Sequence, residues 1–580
     1  MTKAHSFHIP VMGIGFTIDT PLKVAQFGMD SVISLVDDEL MEKLRKVYTK
    51  KFKMNYIEIS NKINDYRAKR ITSYLNLLKE VSEHKLEELK KSANGIKEYF
   101  SFHPNSKADS PKDIQSEKEM HLGSIDVNIM TKVDRENYKD KVQLPIEFND
   151  AHAALRGYAN SNLNTSLVFS AGMNPRLFSY IEQFEDFYPN EKGEIKKKII
   201  LKVSDYRSAL IQGKFLAKKG IWVSEYRIES GLNCGGHAFA TNGFLMGPIL
   251  AEFRDNKKSI IDELFPVLIE ALKSKEKVTP TAPLSIKYSA QGGVGTAEEH
   301  EFLLKHYQFD AVGWGTPFLL VPEATTVDDK TIEKLKEAKE KDLYLSDISP
   351  LGVPFNNLRG NTKDLEKEAK INKKRPGSSC PKKYLAQNKE FTEESICTAS
   401  RQYQHFKIQE LQELDLPIAV YEQRVNKITK KSCICVGLGT SALLTNSIDT
   451  RKEGPGVSVC PGPNMAYFSR EMTLKEITDH IYNRDNMISR TDRPNMFIKE
   501  LLLYMKDFKK KAEELTLDFN KKQERTIKSY RDNMLAGIEY YRNMFEDQNE
   551  FFKDQKESVF KELENFSLEL NQWVKKLELT

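Results

Sequence analysis

Cysteine is scarce in this chain, six among 580 residues, and the six stand at irregular spacings that do not form the even framework of a secreted disulfide scaffold. They are expected as reduced thiols. An excess of one charge is lacking too: Lys plus Arg number 88 against 83 Asp plus Glu, a formal net charge of +5. That balance excludes nucleic acid or an anionic membrane as the main partner. No apolar run is long enough to span a bilayer, and Met1 to Ser6 lead into a short strand without the apolar stretch of a signal peptide. A cytoplasmic location is the expectation. Also missing is a G-x-G-x-x-G turn after the first strand, which weighs against a doubly wound dinucleotide fold. Charge of both signs is plentiful, 29% of residues at a mean hydropathy of −0.53, so much of the surface is expected to be solvated helix.

The chain is organised around three glycine-bearing loops: Gly231 to His237 (GLNCGGH), Gln291 to Gly295 (QGGVG) and Gly313 to Thr316 (GWGT). Each follows a short apolar run, the place where an α/β protein turns backbone N–H groups toward a phosphate. Around them strand and helix alternate. His8 to Gly15, Ser31 to Val36, Ile125 to Met130, Ser166 to Ser170, Lys198 to Val203, Trp222 to Ile228, Leu284 to Ser289 and Ala311 to Gly313 read as buried strands, with helical stretches between them. About eight repeats predict an α/β fold, a (β/α)8 TIM barrel spanning 1–36 and 120–346, with a doubly wound sheet as the runner-up. Residues 37–119 interrupt it as a helical insertion and linker.

Residues 347–470 form an irregular region rich in Pro, Gly and Asn that holds Cys380, Cys397, Cys433, Cys435 and Cys460. Iron–sulfur and zinc sites favour paired spacings such as C-x2-C, and Cys433 to Val436 reads as a strand whose alternation sends two sulfurs to opposite faces. Structural thiols and no metal are therefore expected, with a metal or cluster as the alternative. Residues 471–580 are a helical C-terminal region. Ile538, Phe545, Phe552, Val559, Phe566 and Trp573 recur every seven residues. The tail is expected to fold back as an intramolecular hairpin docked near the Cys-bearing region, with a protein partner or a second copy as the competing cover.

Taken in order, the barrel loops resemble those of the nitronate monooxygenase (2-nitropropane dioxygenase) family, which includes flavin-dependent enoyl-ACP reductases. The residues that carry the resemblance are Pro10-Val11-Met12-Gly13, Val127-Asn128-Ile129, Asn233-Cys234-Gly235-Gly236-His237, Ala290-Gln291-Gly292-Gly293-Val294, and the run from Gly315-Thr316-Pro317-Phe318 to Glu323. It spans Ile9 to Ala324 without the insertion. Asn233-Cys234 departs from the family's Glu-Ala. The resemblance implies FMN as cofactor, contacted by Met12, Gly13, Asn128, Gly235 and Gly236, and His237 as catalytic base.

The residues themselves are consistent with that chemistry. Backbone N–H groups of Gly292, Gly293, Gly315 and Thr316 suit a dianionic phosphate. Lys202, at the end of a strand, would place positive charge near the flavin. His237, with an ordinary imidazole near pKa ~6.5, suits abstraction of a proton beside a nitro group or carbonyl. Cys234 is read as a buried or flavin-facing thiol rather than a nucleophile. The expected activity is an FMN-dependent oxidoreductase acting on a small nitronate-like or carbonyl-activated substrate. The alternatives are an NAD(P)H-dependent enoyl-thioester reductase and a flavin-binding scaffold in a larger pathway.

Overall fold

The structure, a computed structural model, describes residues 4–104, 117–229, 235–238, 242–517, 521–548 and 550–578. Eight parallel strands close into a barrel in sequence order: β1 (Phe7–Ile9), β2 (Asp30–Ser34), β3 (Ile125–Ile129), β4 (Ser166–Phe169), β5 (Lys198–Val203), β6 (Val223–Glu229), β7 (Lys287–Gln291) and β8 (Ala311–Gly313). Strand β8 pairs back onto β1. This is the expected (β/α)8 barrel. The first strand is shorter than the apolar run suggested, because Pro10 has no N–H to give a ladder and Gly13 turns the chain at φ 58°.

Side chains alternate along a strand, so each strand sends one set into the lumen and the other under the helices. Ile33, Val127, Leu167, Ile199, Leu201 and Ile228 belong to the main core, whereas Val32, Val168 and Ile200 form a separate cluster with Val11. The second set is the apolar layer of the lumen. The register gives the same parity to Asp126, Glu225, Arg227 and Ser289. There the Arg227 guanidinium donates to Glu225 at 2.8 Å and to Ser289 Oγ at 3.3 Å, so the buried charge is paired.

Between β2 and β3 the helices Asp38–Lys51, Tyr66–Lys90 and Ala93–Ser101 pack outside the barrel. Gly157 in the helix Asp150–Ala159 allows the close approach, since a Cβ there would stand 2.8 Å from the Ala68 carbonyl. Buried ion pairs tie the insertion down: Arg67 and Arg70 meet Asp38 at 2.5 and 3.0 Å.

The Cys-bearing region opens with the strand Phe355–Leu358, paired antiparallel with Leu343–Ser346 just before it, and holds four α-helices, Thr362–Asn372, Arg401–Gln412, Ile418–Thr429 and Ile434–Thr445. Here one expectation fails: Cys433 to Val436 is not a strand but the start of the last of these helices, with Cys433 at its N-cap. Every residue from Ile434 to Leu443 is buried, and an apolar run buried on all sides has no periodicity by which to tell strand from helix.

The tail is three helices, Met496–Leu517, Lys521–Asp547 and Lys556–Glu578, packed on one another. Ile538, Phe545, Phe552, Val559 and Phe566 are all buried within the chain. They do not share one helix, because the chain breaks before Lys556, with Phe552 at φ 60°. The main seat of the tail is also not the expected one. It docks on the barrel's outer helices Met246–Asp255 and Ala297–Lys305, where Phe302 meets Phe497, Phe551 and Phe552 edge to face at 5.9, 5.4 and 4.9 Å. The buried Glu500 carboxylate accepts from Met246 N–H at 3.0 Å and from Tyr541 Oη at 2.7 Å, satisfying a helix N-terminus that apolar packing alone would leave bare. Among the described residues no helix is long and apolar enough to cross a membrane.

Candidate active site at the barrel mouth

The C-terminal ends of the strands carry a polar layer. Lys202, at the end of β5, forms an ion pair with Glu229 at the end of β6, 2.8 Å away. Gln291 of β7 donates to the same Glu229 carboxylate through Nε2, and its Oε1 lies 3.1 Å from His8 Nε2. Asn128, on β3, is buried, and its Oδ1 has no hydrogen-bond partner among the described residues. An unsatisfied buried amide oxygen costs about 1–3 kcal/mol, so the mouth presents one acceptor that a ligand donor would satisfy.

Above this layer lie the glycine loops. Met12 is buried, with its N–H donating to Thr17 Oγ1 at 3.2 Å. Gly292 and Gly293 adopt φ 113° and 83°, backbone that favours glycine. The Gly293 carbonyl accepts from Asn464 Nδ2 at 2.8 Å and from Arg493 at 3.0 Å. Arg493 also pairs with buried Glu299 at 2.7 Å. A Cβ on Gly295 would fall 2.6 Å from that guanidinium, so this glycine makes room for an arginine. Gly315 precedes the short helix Thr316–Leu320, and Thr316 Oγ1 accepts from Gly462 N–H at 3.0 Å.

One segment unites these contacts. Residues 459–464 run as a strap across the mouth: Pro461 pairs with Gly235, Cys460 carbonyl accepts from Gly236 N–H at 3.3 Å, and Gly13 hydrogen-bonds Cys460 through its backbone. Gly235 sits at φ 129°, where a Cβ would stand 2.1 Å from the Cys460 carbonyl oxygen. Gly235→Ala is therefore expected to lift the strap at a cost of at least about 1–3 kcal/mol. Limited proteolysis checks this: cleavage within 459–464 should quicken while cleavage in the tail does not.

His237 lies on the other edge of the same loop. It pairs with Phe355 as an isolated bridge, its ring meets the Phe355 ring edge-on at 5.1 Å, and Nε2 lies 2.6 Å from Ser349 Oγ. Burial lowers its pKa to about 4, so the expected ordinary imidazole is corrected to a neutral, weakly basic one. The preceding residues Gly231 to Cys234 lie outside the described residues.

No protein-family model matches the chain, and no curated protein does. Solved structures similar to it include FabK from Thermotoga maritima, at 13% identity and TM-score 0.34, covering 86% of this chain and 96% of that one. The enoyl reductase domain of MlnA, from the macrolactin biosynthesis cluster of Bacillus amyloliquefaciens, shows 11% identity and TM-score 0.39, covering 83% and 94%. Nitroalkane oxidase from Streptomyces ansochromogenes shows 9% identity and TM-score 0.36, covering 83% and 95%. At these scores the likeness carries no argument, and the barrel rests on its own closed strand order.

The structure thus brings Met12, Gly13, Asn128, Lys202, Gly235, Gly236, His237, Gly292, Gly293, Gly315 and Thr316 to one end of the barrel. Sequence reasoning missed Glu229, Ser349, Cys460, Asn464 and Arg493. Glu229 had a usable signal, since it ends a strand next to the one that Lys202 ends. The others act across sequence distances that no local pattern reports.

Proposed function

We propose that the chain is an FMN-dependent oxidoreductase acting on a small substrate whose C–H bond is acidified by a nitro or carbonyl group. The observation that carries this reading is the buried Oδ1 of Asn128, without a partner among the described residues, at the C-terminal end of the barrel and close in the strand order to the Lys202–Glu229 pair. The other candidates fit unevenly. Gly236, whose N–H is held by the Cys460 carbonyl, supports the reading because a Cβ there would meet no described residue within 4 Å, which leaves room for a ring to approach the backbone. Met12, Gly292, Gly293 and Gly315 are compatible with it. Gly13, Gly235 and Thr316 are engaged by the strap, so they would bear on the cofactor mainly through residues 459–464.

FMN, when bound, would supply the two-electron chemistry. Lys202 would act as a positioned cation, its direction fixed by Glu229. His237 is neutral at pH 7 and its ring orientation is set by Ser349. A substrate proton would be held at Nε2, with the Ser349 hydroxyl rotating away or relaying it. A base near pKa 4 is matched to an already acidic C–H, which favours a nitro-type or strongly activated carbonyl substrate.

Purified protein is expected to be yellow, with one FMN per chain, and His237→Asn is expected to keep the flavin while lowering turnover roughly 10²–10⁴-fold. The rate with the parent enzyme should fall on the acid side near pH 4, because that is where His237 takes up its proton. Colourless protein that cannot be reconstituted with FMN would overturn the proposal. Flavin bleached by NADH and restored by an enoyl thioester would move it to the reductase class, and flavin inert both to a nitronate with oxygen and to NADH would move it to a scaffold role.

A further inference from the structure

Outside the candidate active site, a cavity of about 720 Å³ opens between the loop that follows the helix Thr362–Asn372 and the helix Arg401–Gln412. Lys374, Arg375, Lys383 and Arg401 border it, and no described Asp or Glu does. The proposed oxidoreductase chemistry uses none of these residues.

Unbalanced charge is not the habit of this part of the chain. Lys363, Lys367, Lys370, Lys382, Lys389 and Lys407 each reach a carboxylate. The four cations at the cavity have no ion-pair partner among the described residues. Arg401 shows the lack in a single atom, because its Nε is buried and has no hydrogen-bond partner among the described residues. A guanidinium N–H only donates, so what is missing there is an acceptor. Arg401 also opens the helix Arg401–Gln412, whose positive dipole end disfavours a cation. The stability of that helix therefore does not account for the arginine, whereas an anion held beside it would.

The backbone around the same cavity is held in uncommon conformations. Lys374, Cys380 and Lys383 adopt φ 55°, 51° and 59°, the left-handed region that residues with a Cβ seldom enter. Such strain collects where loops clamp ligands. The volume lies within the range of about 300–1,000 Å³ typical of small-molecule sites, far more than an inorganic ion needs. Pro376, Ile396 and Ile408 add apolar wall for an organic body. Two arginines offer the planar fork that matches phosphate oxygens, and four cations suit a ligand with more than one negative charge.

We propose that this cavity binds an organic diphosphate of nucleotide size, with Arg401 Nε donating to a phosphate oxygen and Lys374, Arg375 and Lys383 balancing the remaining charge. Binding here does not depend on whether the barrel holds FMN.

The test titrates the full chain, as purified and without magnesium, with ADP, inorganic pyrophosphate and adenosine in a calorimeter. ADP should bind at one site per chain, pyrophosphate more weakly, and adenosine without measurable heat. Raising NaCl from about 50 to about 300 mM should weaken ADP binding several-fold, as screening of an open cationic site requires. Arg401→Gln should weaken it at least about tenfold, the scale of a lost charge-assisted hydrogen bond. Lys383→Gln, which gives up no carboxylate partner, should melt with the parent and weaken ADP at least about threefold. If Arg401→Gln does not fold, Lys383→Gln decides. Several outcomes would overturn the proposal: no heat with ADP, adenosine or pyrophosphate bound as tightly as ADP, affinity unchanged in the variants, or flavin displaced by ADP, which would place the binding at the barrel mouth.

Discussion

Lys382→Met is expected to destabilise the chain by about 3–5 kcal/mol, the cost of leaving a buried charge without its partner. Lys382 is buried, and its ammonium donates to Asp37, which is fully buried just beyond the end of β2. The same carboxylate caps the helix Asp38–Lys51 through Leu40 N–H at 2.9 Å and accepts from Tyr384 Oη at 2.9 Å. Burial alone would raise the Asp37 carboxyl pKa, but Lys382 outweighs it and holds the group below the ordinary carboxylate range. This ion pair therefore ties the Cys-bearing region to the start of the helical insertion, just beyond β2. The variant also has a distinctive pH signature. Asp37 in the parent contributes stability that is present above its unfolded pKa and is lost as pH falls through its lower folded value. Without Lys382 the buried carboxyl has a raised pKa and takes up a proton early, so the gap between parent and variant should narrow as pH is lowered toward 4. Melting curves of both proteins at several pH values check this. Equal melting temperatures at pH 7.5 would show that the pair is not an anchor, and Asp37→Asn combined with Lys382→Met should recover part of the loss.

The barrel was legible because a parallel strand buried on both faces writes an apolar run of the right length, as Lys198–Val203 and Ala311–Gly313 do. Positions at strand ends were legible for the same reason, which is how Asn128 and Lys202 reach the mouth. The strap was not. Its hold on Thr316 comes from Gly462, a separation of 146 residues, and nothing near either residue encodes the other. The helix that Cys433 caps escaped for a different reason: its C-x-C was read with the period of a strand, while a run buried on every side carries no period that would mark it as a helix. In the tail the apolar composition was read correctly and the continuity was not, since a seven-residue recurrence persists across the break before Lys556.

Stability is also expected to fall steeply between pH 6.5 and about 4, through histidines buried in their neutral form. His300 shows why. Its Nδ1 accepts from Trp314 Nε1 at 3.0 Å, and indole N–H is a donor only, so a proton on Nδ1 would face another N–H. Nε2 is then the protonated nitrogen and donates to Ser6 Oγ at 2.9 Å. Burial lowers His300 to about 4, His237 to about 4, and His5 to about 3, the last with help from His103. In the unfolded chain each would titrate near ~6.5. The unfolded state therefore binds protons first as pH falls, so the contribution of these groups is intact above about pH 6.5, declines between there and about pH 4, and levels off below, where the folded form is protonated too. Each can remove up to about 3 kcal/mol over that window, since one pKa unit is worth about 1.4 kcal/mol. The carboxylates held low, such as Asp37 and Asp150, lose their contribution only at lower pH, so the two causes separate along the axis. Denaturant unfolding from pH 8 to 4.5 should show a midpoint flat above pH 7 and dropping below it with a slope of at least about three protons, since burial also lowers His103 and His306 to about 4 and lowers His480. His300→Gln should reduce that slope by about one proton. A midpoint unchanged between pH 7 and 5 would mean that these rings are solvated or already paired in their charged form.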